Sequence, residues 1–202
     1  MEAILRALSS NNNEERNLAE KSFNDALAND LRGIMNQLMQ VVLAGQDENL
    51  CEHASVICRG QLTKSSGREW WANLAPGERQ NLRSVILERL RSAGSMRLKK
   101  AVSELIVLLS EMSFDEDSSE DEWPSLLEDL ARISTFDGDD GSVAAVALLT
   151  INQLASECTQ KFTADSMLNF QNLLCNIMAN PPKGNSLARL NASLAMASII
   201  QV

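Results

Sequence analysis

SMRLKKAVSELIVLLSEM, residues 95–112, is the stretch on which the fold turns. Its apolar residues Leu98, Val102, Leu105, Ile106, Leu109 and Met112 recur at three- and four-residue steps. On a helix such residues lie above one another, so they form one stripe. No Gly or Pro interrupts the run, and a strand would need strict alternation instead. The spacing predicts a helix over about 95–112. Just before it, Leu82, Val85, Ile86 and Leu90 draw a second stripe over about 77–92. Two amphipathic helices with a short link read as an antiparallel pair.

The same pattern extends in both directions and gives ten helical segments in five pairs. The first pair is about 2–9 and 14–28, with Asn12 as N-cap and Glu15 in the capping-box position. The second is about 31–44 and 48–64; Leu31, Ile34, Met35, Leu38, Val41 and Val42 line its first helix, and Gly45 is placed to end it. A connector carrying Trp70 and Trp71 leads to the third pair. The fourth, about 122–134 and 141–158, places Pro124 in a first turn, where a missing N–H costs nothing. The fifth, about 164–179 and 185–201, is split by Asn180-Pro181-Pro182-Lys183-Gly184, with Asn185 free to cap the last helix.

The second helices begin near 14, 48, 95, 141 and 185. Their later spacings match the roughly 40–47-residue period of HEAT and armadillo repeats. A helix pair of this size cannot bury its stripes alone and must stack on neighbours. The expectation is an all-α solenoid, a superhelix of about five HEAT repeats at roughly 1–28, 31–64, 77–112, 122–158 and 164–201, with an inner and an outer surface. The last helix stays apolar through Leu187, Leu190, Leu194, Ala197 and Ile200, which points to an N-terminal segment of a longer solenoid.

Composition agrees with helices. Hydrophobic residues make up 45% and aromatics 4%, with no Tyr; Leu, Ala and Met suit helix interfaces better than sheets. A net charge of −9 argues against direct nucleic-acid binding, which needs Lys and Arg in excess on one surface. No apolar run approaches the roughly 20 residues of a membrane span, and Met1-Glu2-Ala3-Ile4 does not begin a secretory signal. Cys51, Cys58, Cys158 and Cys175 show no CxxC spacing and fall in helical apolar patterns, which reads as buried free thiols in a reducing compartment.

Four motifs resemble the N-terminal region of the importin-β (karyopherin-β) family of nuclear transport receptors. Glu15-Arg16-Asn17-Leu18-Ala19-Glu20 is similar to the family's Arg-x-x-Ala-Glu signature. Glu69-Trp70-Trp71-Ala72-Asn73-Leu74, followed by Arg79-Gln80-Asn81-Leu82-Arg83, resembles its Trp-containing link into the third repeat. Met96 to Ile106 resembles that repeat's second helix, and Glu122-Trp123-Pro124-Ser125-Leu126-Leu127 the Trp-Pro-x-Leu-Leu opening of the fourth. One departure is Cys51-Glu52-His53-Ala54, where the family has Arg-Gln-x-Ala. The later spacing resembles the importin β-3 branch.

The resemblance implies a receptor shuttling between cytoplasm and nucleus. It implies a Ran-type GTPase, in its GTP form, on the inner helices of the N-terminal repeats, Phe-Gly nucleoporins between outer helices, and protein cargo on repeats beyond this segment. Helix geometry turns Glu52, Val56 and Arg59 away from the face shared by Leu50, Ala54, Ile57 and Gln61. It likewise sets Lys100, Glu104, Val107 and Glu111 opposite the stripe of the 95–112 helix. Glu52, Arg59, Lys100 and Glu104 are therefore the GTPase-facing candidates. The competing reading is that they are solvated, or that Lys100 pairs with Glu104 at i,i+4; Arg16 and Glu20 share that spacing and read as a helix-stabilising pair.

The acidic run Asp115-Glu116-Asp117-Ser118-Ser119-Glu120-Asp121-Glu122 reads as a solvated loop, with Ser119 and Glu122 as a capping box, or as a patch for a basic partner. Asp137, Asp139 and Asp140 lack the terminal Glu of an EF-hand loop. His53 is the only histidine; Cys51 and Cys58 flank it at positions that a helix does not align, and no orienting group is evident. Phosphate-loop and histidine-based metal motifs are absent, so no enzyme, cofactor or metal is expected. The alternative function is a HEAT scaffold subunit of a phosphatase or chromosome-organising complex without a GTPase partner.

Overall fold

The computed structural model describes residues 1–115, 120–121, 123–135, 141–158, 162, 164–182 and 185–200. Among them are eleven α-helices: α1 Glu2–Leu8, α2 Asn13–Asn29, α3 Leu31–Ala44, α4 Glu48–Leu62, α5 Ser65–Ala72, α6 Pro76–Ser92, α7 Met96–Glu111, α8 Leu126–Ser134, α9 Ser142–Glu157, α10 Ala164–Ala179 and α11 Ser186–Ile200. Two compact units divide the chain, Met1–Ile86 with Ala93–Leu105, and Leu87–Ser92 with Ile106–Val202.

In the first unit, α1 packs on α2, α2 on α3, α3 on α4, and α5 on both α3 and α4. Asn12 caps α2 through its side chain, accepting from Glu14 N at 2.9 Å. Glu15 does not close a box with Asn12: its carboxylate accepts from Ser10 Oγ, and that hydroxyl accepts from Asn12 N. The Arg16 side chain turns back to Ser10 O and to Asn13 Oδ1 at 2.6 Å, toward the helix start and away from Glu20. Gly45 ends α3. The core of this unit is Leu5, Met35, Leu38, Val42, Cys58, Leu62, Ile86 and Leu98, all fully buried.

The Trp connector is a helix, α5, with Trp70 and Trp71 buried. Trp70 Nε1 donates to Asn36 Oδ1 at 3.2 Å, and the Arg83 guanidinium lies 5.4 Å from the Trp71 ring centroid. Eight residues with no capping side chain leave little periodic signal, and two anchored aromatics hold the helix instead.

In the second unit, α8 and α11 both pack on α9, and α10 packs on α11. α9 is buried nearly all round, from Val143 to Ala155. Gly141 starts it at φ +75°, and a Cβ there would lie 2.8 Å from Pro182 O, so only glycine fits. α11 turns Ala188, Asn191, Ala192, Ala195 and Ile199 inward. Its larger apolar residues Leu187, Leu190, Leu194 and Ile200 are exposed.

Other expectations change. α8 begins at Leu126, after Pro124 rather than around it. Phe114–Asp115 and Glu120–Asp121 form a two-strand antiparallel ladder, β1 and β2, within the acidic run. Its proposed capping box of Ser119 and Glu122 lies outside the described residues, as do Asp137, Asp139 and Asp140. Val107 is buried rather than facing away with Lys100, because apolar residues surround α7 from Ala101 to Leu109. Cys51, Cys58 and Cys158 are buried free thiols, whereas Cys175 is exposed.

Candidate partner interface on α4 and α7

Two ties set α4 beside α7 within the first unit. Asp47 caps α4, accepting from Asn49 N at 3.1 Å and Leu50 N at 3.3 Å, and Arg6 pairs with the same carboxylate at 3.1 Å. The next residue, Glu48, reaches across to the start of α7, where its carboxylate accepts from Gly94 N and, at 2.7 Å, from Ser95 N. An anion on the free N–H groups of a helix start is favoured by hydrogen bonding and by the helix dipole. Further along, Arg59 Nη1 meets Glu104 Oε2. The sequence offsets are 47 for Glu48–Ser95 and 45 for Arg59–Glu104, so the two helices run parallel and in step.

This geometry places the four candidates. Glu104 pairs with Arg59 on the neighbouring helix, not with Lys100 on its own. Both side chains are about two-fifths exposed, at 42% and 38%, so the pair contributes about 0–1 kcal/mol. Lys100 is exposed and makes no ion pair with a described residue, and Glu52 is half-buried. Val56, one turn beyond Glu52, is 48% exposed. Together they form a strip of mixed charge with one apolar residue at its centre. Arg59 to Glu104 was the link that pairwise reading missed; the repeat period, applied to Arg59, lands on Glu104.

Cys51, Cys58 and His53 are accounted for by their local packing and contacts. Cys51 Sγ contacts Val41 O at 3.2 Å. Burial pushes the Cys58 thiol up to about 12, so it stays protonated and is a poor nucleophile. His53 Nδ1 sits 2.8 Å from Oγ of Ser9, the residue that caps the C-terminus of α1. Among the described residues no group of three or more His, Cys, Asp or Glu could hold a metal ion, and no helix is long and apolar enough to cross a membrane.

By sequence the chain matches no family model and no curated protein. By structure it is similar to importin β crystallised in an ammonium sulfate condition, with a TM-score of 0.75 and 16% identity over 99% of this chain and 24% of that one. It is also similar to Kap121p, with a TM-score of 0.73 and 16% identity over 98% of this chain and 18% of that one. Against the karyopherin Kap121p bound to the SUMO protease Ulp1p, the TM-score is 0.70 and the identity 17%, over 98% of this chain and 17% of that one. The fold is an importin-β-like helical solenoid. The chain spans less than a quarter of the length of each of these three structures.

Proposed function

We propose that this chain is part of an importin-like nuclear transport receptor, shuttling between cytoplasm and nucleus, and that its α4–α7 strip binds a Ran-type GTPase in the GTP form. The observation that carries the reading is the in-step pairing of α4 and α7, which presents Glu52, Val56 and Lys100 on one side of a solenoid like importin β. Protein cargo and Phe-Gly nucleoporins belong to the same reading; the karyopherin bound to Ulp1p is a structural neighbour engaged with another protein. The exposed Leu187, Leu190 and Leu194 on α11 support a solenoid that continues with further helix pairs.

Binding of the GTPase loaded with GTP or GDP, measured by calorimetry, tests the proposal. GTP-selective binding is expected, and Lys100→Glu should weaken it more than Lys161→Glu. Binding that does not distinguish the nucleotides would sink the reading. A specific observation favours a scaffold without a GTPase: Arg59 and Glu104 satisfy each other with no partner. Under that reading neither nucleotide form binds.

A further inference from the structure

Gly60 lies inside α4, where a glycine costs roughly 0.5–1 kcal/mol relative to alanine. Gly45 and Gly67 of this unit sit against close neighbours, whereas Gly77, in the first turn of α6, has open space around it as Gly60 does. A Cβ at Gly67 would lie 2.2 Å from Gln61 O, and one at Gly45 would lie 2.6 Å from Cys51 Sγ. At Gly60 a Cβ would meet nothing within 4 Å. Packing inside the protein gives no reason for the bare backbone.

Gly60 borders a groove of about 380 Å³ between α1, α2 and α4. Its apolar surface comes from Leu8, Phe23 and Ile57. Its polar lining is rich in acceptors. Glu20 and Asn24 have no hydrogen-bond or ion-pair partner among the described residues. Ser9 Oγ donates to Leu5 O at 3.1 Å and lies 2.8 Å from His53 Nδ1, so in the tautomer with the proton on Nδ1 the ring offers Nε2 as an acceptor. The cation among the lining residues, Lys64, lies just past the end of α4 and bonds back to it, from Nζ to Gln61 Oε1 at 3.1 Å.

We infer that this groove receives an arginine side chain from a partner protein whose main chain crosses α4 at Gly60. The apolar stem and flat guanidinium suit Phe23 and Ile57, while its N–H groups match the acceptors of Glu20, Asn24 and His53. Without a side chain at position 60, another backbone can approach the helix closely. The chain's net charge of −9 favours a cationic visitor. None of this depends on the partner being a GTPase.

The test is an NMR titration of the full ¹⁵N-labelled chain with the blocked peptide Gly-Arg-Gly and its citrulline analogue, which keeps the shape and loses the charge. Saturable shifts are expected at the amides of His53, Gly60 and Gln61, with citrulline weaker by at least about fivefold. Gly60→Leu fills the groove and should abolish the shifts while raising the melting temperature. Glu20→Gln, at an exposed position, should weaken binding several-fold and covers the case in which Gly60→Leu fails to fold. Absent shifts, equal binding of the citrulline peptide, or wild-type binding by both variants would overturn the inference.

Discussion

The side-chain amide of Asn191 donates to the main-chain carbonyl of Ala145 at 2.7 Å, joining α11 to α9 across 46 residues of sequence. Asn191 is buried among Ala188, Ala192 and Ala195, small residues that let the two helices approach. Replacing it with alanine leaves a void and removes a buried hydrogen bond. Asn191→Ala should lower the unfolding free energy by about 1–3 kcal/mol in urea titration. Ser193→Ala, at an exposed position of the same helix, should change it by less than about 0.5 kcal/mol.

Glu48 is the second joint of this kind, and it carries charge. Glu48→Ala should cost about 1.5–3 kcal/mol, with Glu48→Gln in between because the amide keeps one acceptor oxygen. Hydrogen exchange is the sharper reading. The Gly94 and Ser95 amides should lose protection in Glu48→Ala while those in the middle of α4 keep theirs.

Burial of Cys58 makes stability depend on pH in alkali. Its thiol is raised from the ordinary 9.0 to about 12 in the fold. Between those values the folded chain holds a proton that the unfolded chain has lost. This contribution is constant below about pH 9 and falls as pH rises, by about 1.4 kcal/mol per pH unit. Urea unfolding should show no loss from this source up to about pH 9 and approach that slope by about pH 10.5, with the slope shallower in Cys58→Ala by about the same amount. Identical slopes would mean that Cys58 does not titrate in this way.

Trp71 belongs to the short α5 rather than to either helix of a pair, yet it is almost fully buried and faces the Arg83 guanidinium. Trp71→Ala should cost about 3–5 kcal/mol. Trp71→Phe keeps an aromatic face for the cation and should cost clearly less in thermal unfolding.

The long helices were legible because their apolar residues repeat with the helical period over four or more turns. α7 shows this best: Leu98, Val102, Leu105, Ile106 and Leu109 are all buried. The pattern loses its meaning where packing overrides it. In α11 the apolar stripe Leu187, Leu190 and Leu194 was visible and is exposed, but the face that packs on α9 is made of the small residues Ala188, Ala192 and Ala195, which give little apolar signal. Cys175 shares its helix with buried Leu174 and Ile177 and still faces out. At the candidate interface, helix geometry placed Glu52 and Lys100 on accessible surface, but a single helix cannot reveal that Glu104 turns to a residue 45 positions earlier. The groove beside Gly60 needs three helices and had no local signature.

The ties between neighbouring helices have nearly the same reach. Arg59 meets Glu104 at an offset of 45, while Asn191 meets Ala145 and Ser198 meets Asn152 at 46. A chain wired in this way answers an insertion according to where it falls. Residues added to a loop between helices lengthen one span and leave the side-chain partners on both sides intact. A single residue added inside α4 rotates everything beyond it by about 100° and breaks its own ties, but contacts a full period further on do not involve α4. Such wiring lets loops diverge freely while each helix remains answerable only to its immediate neighbours.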